Sequence, residues 1–207
     1  IKNAWQIPSI DVDAILIAVR IATYGEKMEI ETRVPNAGTE RKFDLDLRQL
    51  LDRYQSVKYE NVLDVGEMKI TLRPQTYQEY TRTATKTFEE QRIAQVVQDT
   101  EMDEGEKLQR FSASFQKLTA ITVDMVVNGI VSVQVGDEVV TNNQHLADFV
   151  KNADKSFFTA ITEHMTAQKK KFDVEPFKVT TTAEEQEQGA PKEFEVPITF
   201  DQSNFFA

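Results

Sequence analysis

The hydrophobic period of this chain changes from about 3.6 residues to 2 and back again, and no other feature restricts its fold class as strongly. Residues 10–24 carry Ile15, Leu16, Val19 and Ile21 with little polar face, which predicts a mostly buried helix. Ser9 and Asp11 are candidate N-caps, and Gly25 can turn left-handed and stop the helix. From Lys27 the pattern alternates. Met28, Ile30, Thr32 and Val34 face one way, and Lys27, Glu29, Glu31 and Arg33 face the other. Pro35-Asn36-Ala37-Gly38 is a turn cluster, after which Phe43, Leu45 and Leu47 alternate with Lys42, Asp44 and Asp46. Residues 27–47 therefore read as a hairpin. The same plan returns near the other end. Phe177 to Thr181 leads through a polar loop, 184–191, to Phe194, Val196, Ile198 and Phe200, which alternate with Glu193, Glu195, Pro197 and Thr199.

Helical spacing dominates between the hairpins. A short helix follows Arg48, a strand spans Met68–Leu72, and a threonine-rich helix covers 75–98. An acidic loop over 99–105 precedes the strongest helical signal, 106–128. There Leu108, Phe111, Phe115, Leu118, Thr122 and Met125 recur at spacings of three and four. A hairpin over 130–140 and helices near Asp148 and from Ser156 to Gln168 complete the middle. The expectation is an α+β fold, with short antiparallel hairpins near both termini and a central set of helices. A single domain over 1–207 would hold an N-terminal helix plus hairpin at 9–50, central helices at 75–172 and a C-terminal hairpin at 176–202.

Composition narrows the chemistry. With 24 Lys plus Arg against 34 Asp plus Glu the net charge is −10, which argues against nucleic acid as a partner. The absence of cysteine excludes disulfides, thiolate zinc sites and cysteine nucleophiles. No apolar run approaches the roughly 18 to 20 residues of a membrane span, so no membrane partner is expected. His145 and His164 each lack a second histidine three or four residues away, so neither reads as a metal ligand or triad member. The carboxylate pairs Asp11/Asp13 and Asp44/Asp46 have no Asp-x-Asp-x-Asp-Gly loop around them. Gly-x-Gly does not occur, which removes a phosphate-binding loop. Lys169-Lys-Lys171 falls in the last turn of a helix, where cations complement the dipole. No catalytic, cofactor-binding or metal-binding residue is expected, and no cofactor.

Two features instead suggest contact with other polypeptides. The stripe Leu108, Phe111, Phe115 and Leu118 serves either as internal core or as a partner-binding seam. Phe205 and Phe206 close the chain with apolar bulk where polar residues are usual, so they must be tucked in or bound by a partner. A protein that works by contact with other polypeptides is the reading this supports. The alternative is a small enzyme or a carboxylate-based metal-dependent module gathered from distant segments, and a nucleic-acid adaptor is a weaker one opposed by the charge.

Several runs also resemble a known family. Ile10-Asp-Val-Asp-Ala-Ile-Leu-Ile-Ala-Val-Arg-Ile-Ala-Thr-Tyr-Gly25, Glu29-Ile-Glu31, the Pro35–Gly38 knuckle and Phe43-Asp-Leu-Asp-Leu47 are similar to the baseplate-hub and tail-assembly proteins of T-even-type contractile-tailed bacteriophages. Phe194-Glu-Val-Pro-Ile-Thr-Phe-Asp201 and Asn204-Phe-Phe206 resemble that family's ending. The resemblance implies zinc-ribbon-like knuckles, but Val34-Pro-Asn-Ala37 stands where the first Cys-x-x-Cys pair would, so no zinc is expected. It further implies a non-enzymatic baseplate hub component or assembly chaperone. Its partners would be other hub or tape-measure proteins or a second copy, in the host cytoplasm during assembly or in the virion tail baseplate.

Overall fold

The structure, a computed structural model, describes residues 2–99 and 102–198. In chain order its elements are α1 (Val12–Tyr24), β1 (Lys27–Arg33), β2 (Glu40–Asp46), α2 (Leu47–Ser56), β3 (Val62–Val65), β4 (Met68–Leu72), α3 (Tyr77–Asp99), α4 (Glu104–Gly129), β5 (Ile130–Val135), β6 (Glu138–Val140), α5 (Asn143–Asn152), α6 (Lys155–Lys170), β7 (Phe177–Thr180), α7 (Ala183–Glu187) and β8 (Glu193–Val196). Every described strand pairing is antiparallel, and the class is α+β as expected. The backbone gathers into two compact units. One joins the chain up to Ile10 with Tyr59–Lys170, and the other joins Asp11–Lys58 with the chain from Lys171 onward.

In the second of these units, which holds both terminal hairpins, α1 ends at Gly25. Its φ of 93° lets its N–H return to the Ile21 carbonyl. Two expectations about α1 need correction. Asp11 stands at the N-cap but makes no side-chain capping bond, because Ser9–Asp11 form a 3₁₀ turn ahead of the helix. Burial is confined to one face: Ile17 is enclosed while Val19 is exposed, since a small unit covers a single stripe of a helix. The β1–β2 register pairs Ile30 with Phe43 and Met28 with Leu45. Met28, Ile17 and Leu47 form the buried centre, with Leu16, Ile21, Leu50, Leu51 and Tyr54 packed around it. The knuckle is closed by hydrogen bonds from Val34 N–H to Thr39 O and from Gly38 N–H to Val34 O, with Asn36 at φ 66° and Gly38 at φ 70°.

The β7–β8 hairpin pairs Val179 with Phe194 and is a separate two-stranded sheet. Side chains join it to the first hairpin. The Phe43 and Phe177 rings lie 5.8 Å apart, and Asn36 Nδ2 donates to Gly189 O. Arg41 on β2 donates to both carboxylate oxygens of Glu185 at 2.8 and 2.5 Å. The stretch 184–191, expected to be a loop, holds α7 instead. Thr182 and Glu185 form a reciprocal capping box that satisfies the amides of this single turn. Residues 199–202 of the expected C-terminal hairpin lie outside the described residues.

In the other unit the strand at 68–72 and the hairpin at 130–140 belong to one sheet, of order β3-β4-β5-β6. Local periodicity could not show this, because β4 and β5 are separated by two long helices. A bulge opposite Thr71/Leu72 places Ile130 and Val133, three residues apart, on the same buried face and leaves Val131 exposed. Ile70, Leu72, Ile130 and Val133 from the sheet meet Val126 of α4, Leu146 and Val150 of α5, and Phe157 and Ile161 of α6 in the main core. The N-terminal residues are pinned to the start of α3. Trp5 stacks on Tyr77 at 5.4 Å, Tyr77 N–H donates to Ile7 O, and Ser9 N–H donates to Gln75 O. Arg73 donates to both oxygens of Glu79 at 2.8 and 2.7 Å, and Glu79 also accepts the Thr76 N–H.

These contacts set a pH dependence. The Arg73 hydrogen bonds hold the Glu79 carboxyl below its ordinary value of 4.5, against the opposing effect of burial. The Thr182 N–H does the same for Glu185, with Arg41 adding to it. A depressed carboxyl contributes stability that is complete above the unfolded value and is lost as pH falls through the folded one. The urea midpoint of unfolding is therefore expected to be flat from neutral pH to about 5 and to fall progressively below it. A midpoint that rises on acidification contradicts this assignment.

Candidate functional site

Asp103 caps α4 by accepting the Gly105 N–H, and the helix then runs 26 residues, about 39 Å at 1.5 Å per residue. α3 runs antiparallel beside it. Ser114 donates to Glu90 O at 3.0 Å and to the Glu90 carboxylate at 2.9 Å, and Lys117 Nζ sits 3.0 Å from the same carboxylate. Up to Glu90 the α3 side of the seam is polar, with Thr83, Thr87 and Glu90 half-buried. Apolar burial on α4 belongs to its C-terminal part, where Val123, Met125, Val126 and Val127 reach the main core.

The apolar side chains in the N-terminal half of α4 are exposed. Leu108 is 70% exposed, Phe111 46% and Phe115 63%. At about 100° per residue these three share a stripe beside the seam. Leu118 is half-buried and turns into the seam with Ser114 and Met125. On the opposite side of the hairpin a small polar cleft is lined by Arg82, Lys86, Asp124 and Asn128. The stripe faces away from that cleft, on the side where α3 carries Phe88, itself 60% exposed. Leu108, Phe111, Phe115 and Phe88 thus form an apolar ledge.

Phe88 also lines a groove of about 500 Å³ between α3 and α6. Tyr80, Ala84 and Phe88 supply one wall, Met165, Thr166 and Lys169 the other, and Pro74 and Met125 the base. Lys169 Nζ lies 4.4 Å from the centroid of the Tyr80 ring and 3.4 Å from its hydroxyl. Sequence reasoning missed Phe88 and the groove. The threonines at 81, 83, 85 and 87 hide the spacing Tyr80, Ala84, Phe88, which is a helical face in its own right.

The stripe residues Leu108, Phe111 and Phe115 are brought together, Leu118 lies inward of them, and Phe205 and Phe206 lie outside the described residues. The two histidines have separate surroundings within their unit. His145 is an exposed residue whose N–H donates to the Asn142 cap of α5, and a His164 ring nitrogen lies 2.8 Å from Glu60 O. Asp46 caps α2 through the Arg48 N–H, and Asp44 is 3.8 Å from Lys27. Tyr54 O–H donates to Asp13 at 3.4 Å, and burial followed by the Asp13 charge pushes that hydroxyl well above its ordinary range. Burial also raises the Asp11 carboxyl. Among the described residues no three or more His, Asp or Glu side chains are grouped so as to hold a metal ion. No described helix is long and apolar enough to cross a membrane.

A family model described as T4 bacteriophage base plate protein matches residues 1–194. The chain belongs to this baseplate family. The match includes the N-terminal runs and the Phe194 at which the C-terminal resemblance begins. Comparison with curated proteins gives no match, and comparison with solved structures gives none. Membership supports a structural or assembly role in the phage baseplate, with interactions among baseplate proteins.

Proposed function

We propose that this baseplate chain is a non-enzymatic component of the tail baseplate hub, or a chaperone of its assembly, acting through contacts with other hub proteins or the tape-measure chain. The observation that carries this reading is the ledge: aromatic side chains at helical spacing on a helix whose own packing leaves them in water. Burying one such side chain against a partner contributes about 1.5–3 kcal/mol. Four contribute on the order of 8 kcal/mol. That is comparable with the cost of association, so the ledge acts as the hot region of a larger interface. The contact residues assigned are Leu108, Phe111, Phe115 and Phe88, with the half-buried Leu118 beneath them and Phe205 and Phe206 from the region outside the described residues. The net charge of −10 keeps the surface soluble and disfavours stray contact with DNA. The chain works in the host cytoplasm during assembly and, if retained, in the tail baseplate.

Copurification from infected cells with mass spectrometry, set against purified virions, tests this reading. A hub component accompanies baseplate proteins in both preparations, and a chaperone accompanies them in cells alone. A chain that accompanies no baseplate protein in either preparation refutes both.

A further inference from the structure

We infer that the groove between α3 and α6 receives an amphipathic helix of another baseplate protein that presents a carboxylate to Lys169. This rests on the contact role proposed above and adds the chemistry of the occupant. The shape comes first. Tyr80, Ala84 and Phe88 repeat at four residues along α3, and with Gln91 they span about three helical turns, the footprint of a docked helix. Met125 and Met165 supply unbranched, polarisable side chains that adapt to an inserted ridge. The charge is the second observation. The chain carries 34 acidic residues, yet among the described residues no carboxylate lines this groove and Lys169 is the one charged group that does. The Lys169 ammonium rests on the Tyr80 ring, with no carboxylate within ion-pair distance among the described residues. A basic, apolar slot on an acidic protein selects an apolar helix with an Asp or Glu near one end.

The test uses the full chain supplied in infected cells in place of the natural copy. With the photocrosslinker p-benzoylphenylalanine at Ala84, an exposed position on the groove wall, the expected product joins this chain to another baseplate protein. The linked peptide is expected to be helical in pattern, with Asp or Glu within two turns of the linkage. A linkage to a second copy of this chain, a linked peptide without a carboxylate, or no linkage overturns the proposal. Lys169→Glu is expected to lower incorporation into baseplate intermediates at least tenfold, Lys169→Arg to retain it, and both to melt as the parent does, since Lys169 is exposed. If the unaltered chain never enters baseplate intermediates, it is the contact role that fails. If it enters and Lys169→Glu enters equally well, the groove assignment alone fails.

Discussion

Phe115→Asp leaves the isolated chain folded and excludes it from baseplate complexes. The side chain is 63% exposed and contributes little to the chain's own core, so unfolding free energy is expected to change by no more than about 0.5 kcal/mol. The effect on association is of another size. A carboxylate in the middle of an apolar interface must be desolvated without a partner, which costs several kcal/mol, and affinity is expected to fall by more than about 100-fold. A thermal melt and copurification on the same preparation separate the two effects. If Phe115→Asp unfolds the protein, the stripe is core and the seam is abandoned. If it melts normally and still copurifies, the ledge is not the contact.

Ile70→Ala gives the opposite pattern. Ile70 is fully buried on β4, between Leu63 and Val133 in the register, and beneath the helices of the main core. Truncation removes its transfer free energy and leaves a void, a loss of about 3 kcal/mol. That corresponds to a fall in melting temperature of roughly 6–12 °C. Urea denaturation measures it directly. A variant within about 0.5 kcal/mol of the parent would show that the sheet does not form the buried centre.

The contrast between these two residues shows what the sequence could express. The alternation of Met28, Ile30, Thr32 and Val34 was legible because one face of β1 is covered and the other is solvated. The capping signature Thr182-x-x-Glu185 was also present to be read, but the polar composition around it suggested a loop. The four-stranded sheet was not legible. β3 is four residues long, and the partner of β4 lies beyond two helices, so no local period reports the pairing. The stripe on α4 is the instructive case. Its spacing establishes a helix with an apolar side but is identical whether that side is covered or bare. The difference lies in the neighbour. Beside Ser114 and Lys117 α3 offers the carboxylate of Glu90, and the stripe Leu108, Phe111 and Phe115 stays exposed. Further along α4, Val126 meets Ile70, Leu72 and Ile161 in the main core. Phe88 was missed for the same reason, being one aromatic in a run of threonines.

Hydroxyl-radical footprinting of the free chain and of the chain in baseplate intermediates reads the ledge side chain by side chain. Phe88, Phe111 and Phe115 are expected to oxidise readily in the free chain and to be protected on assembly, while exposed Trp5 remains an internal reference. Equal oxidation of the three phenylalanines in both states would show that the ledge stays in water, and the contact role would have to be given up.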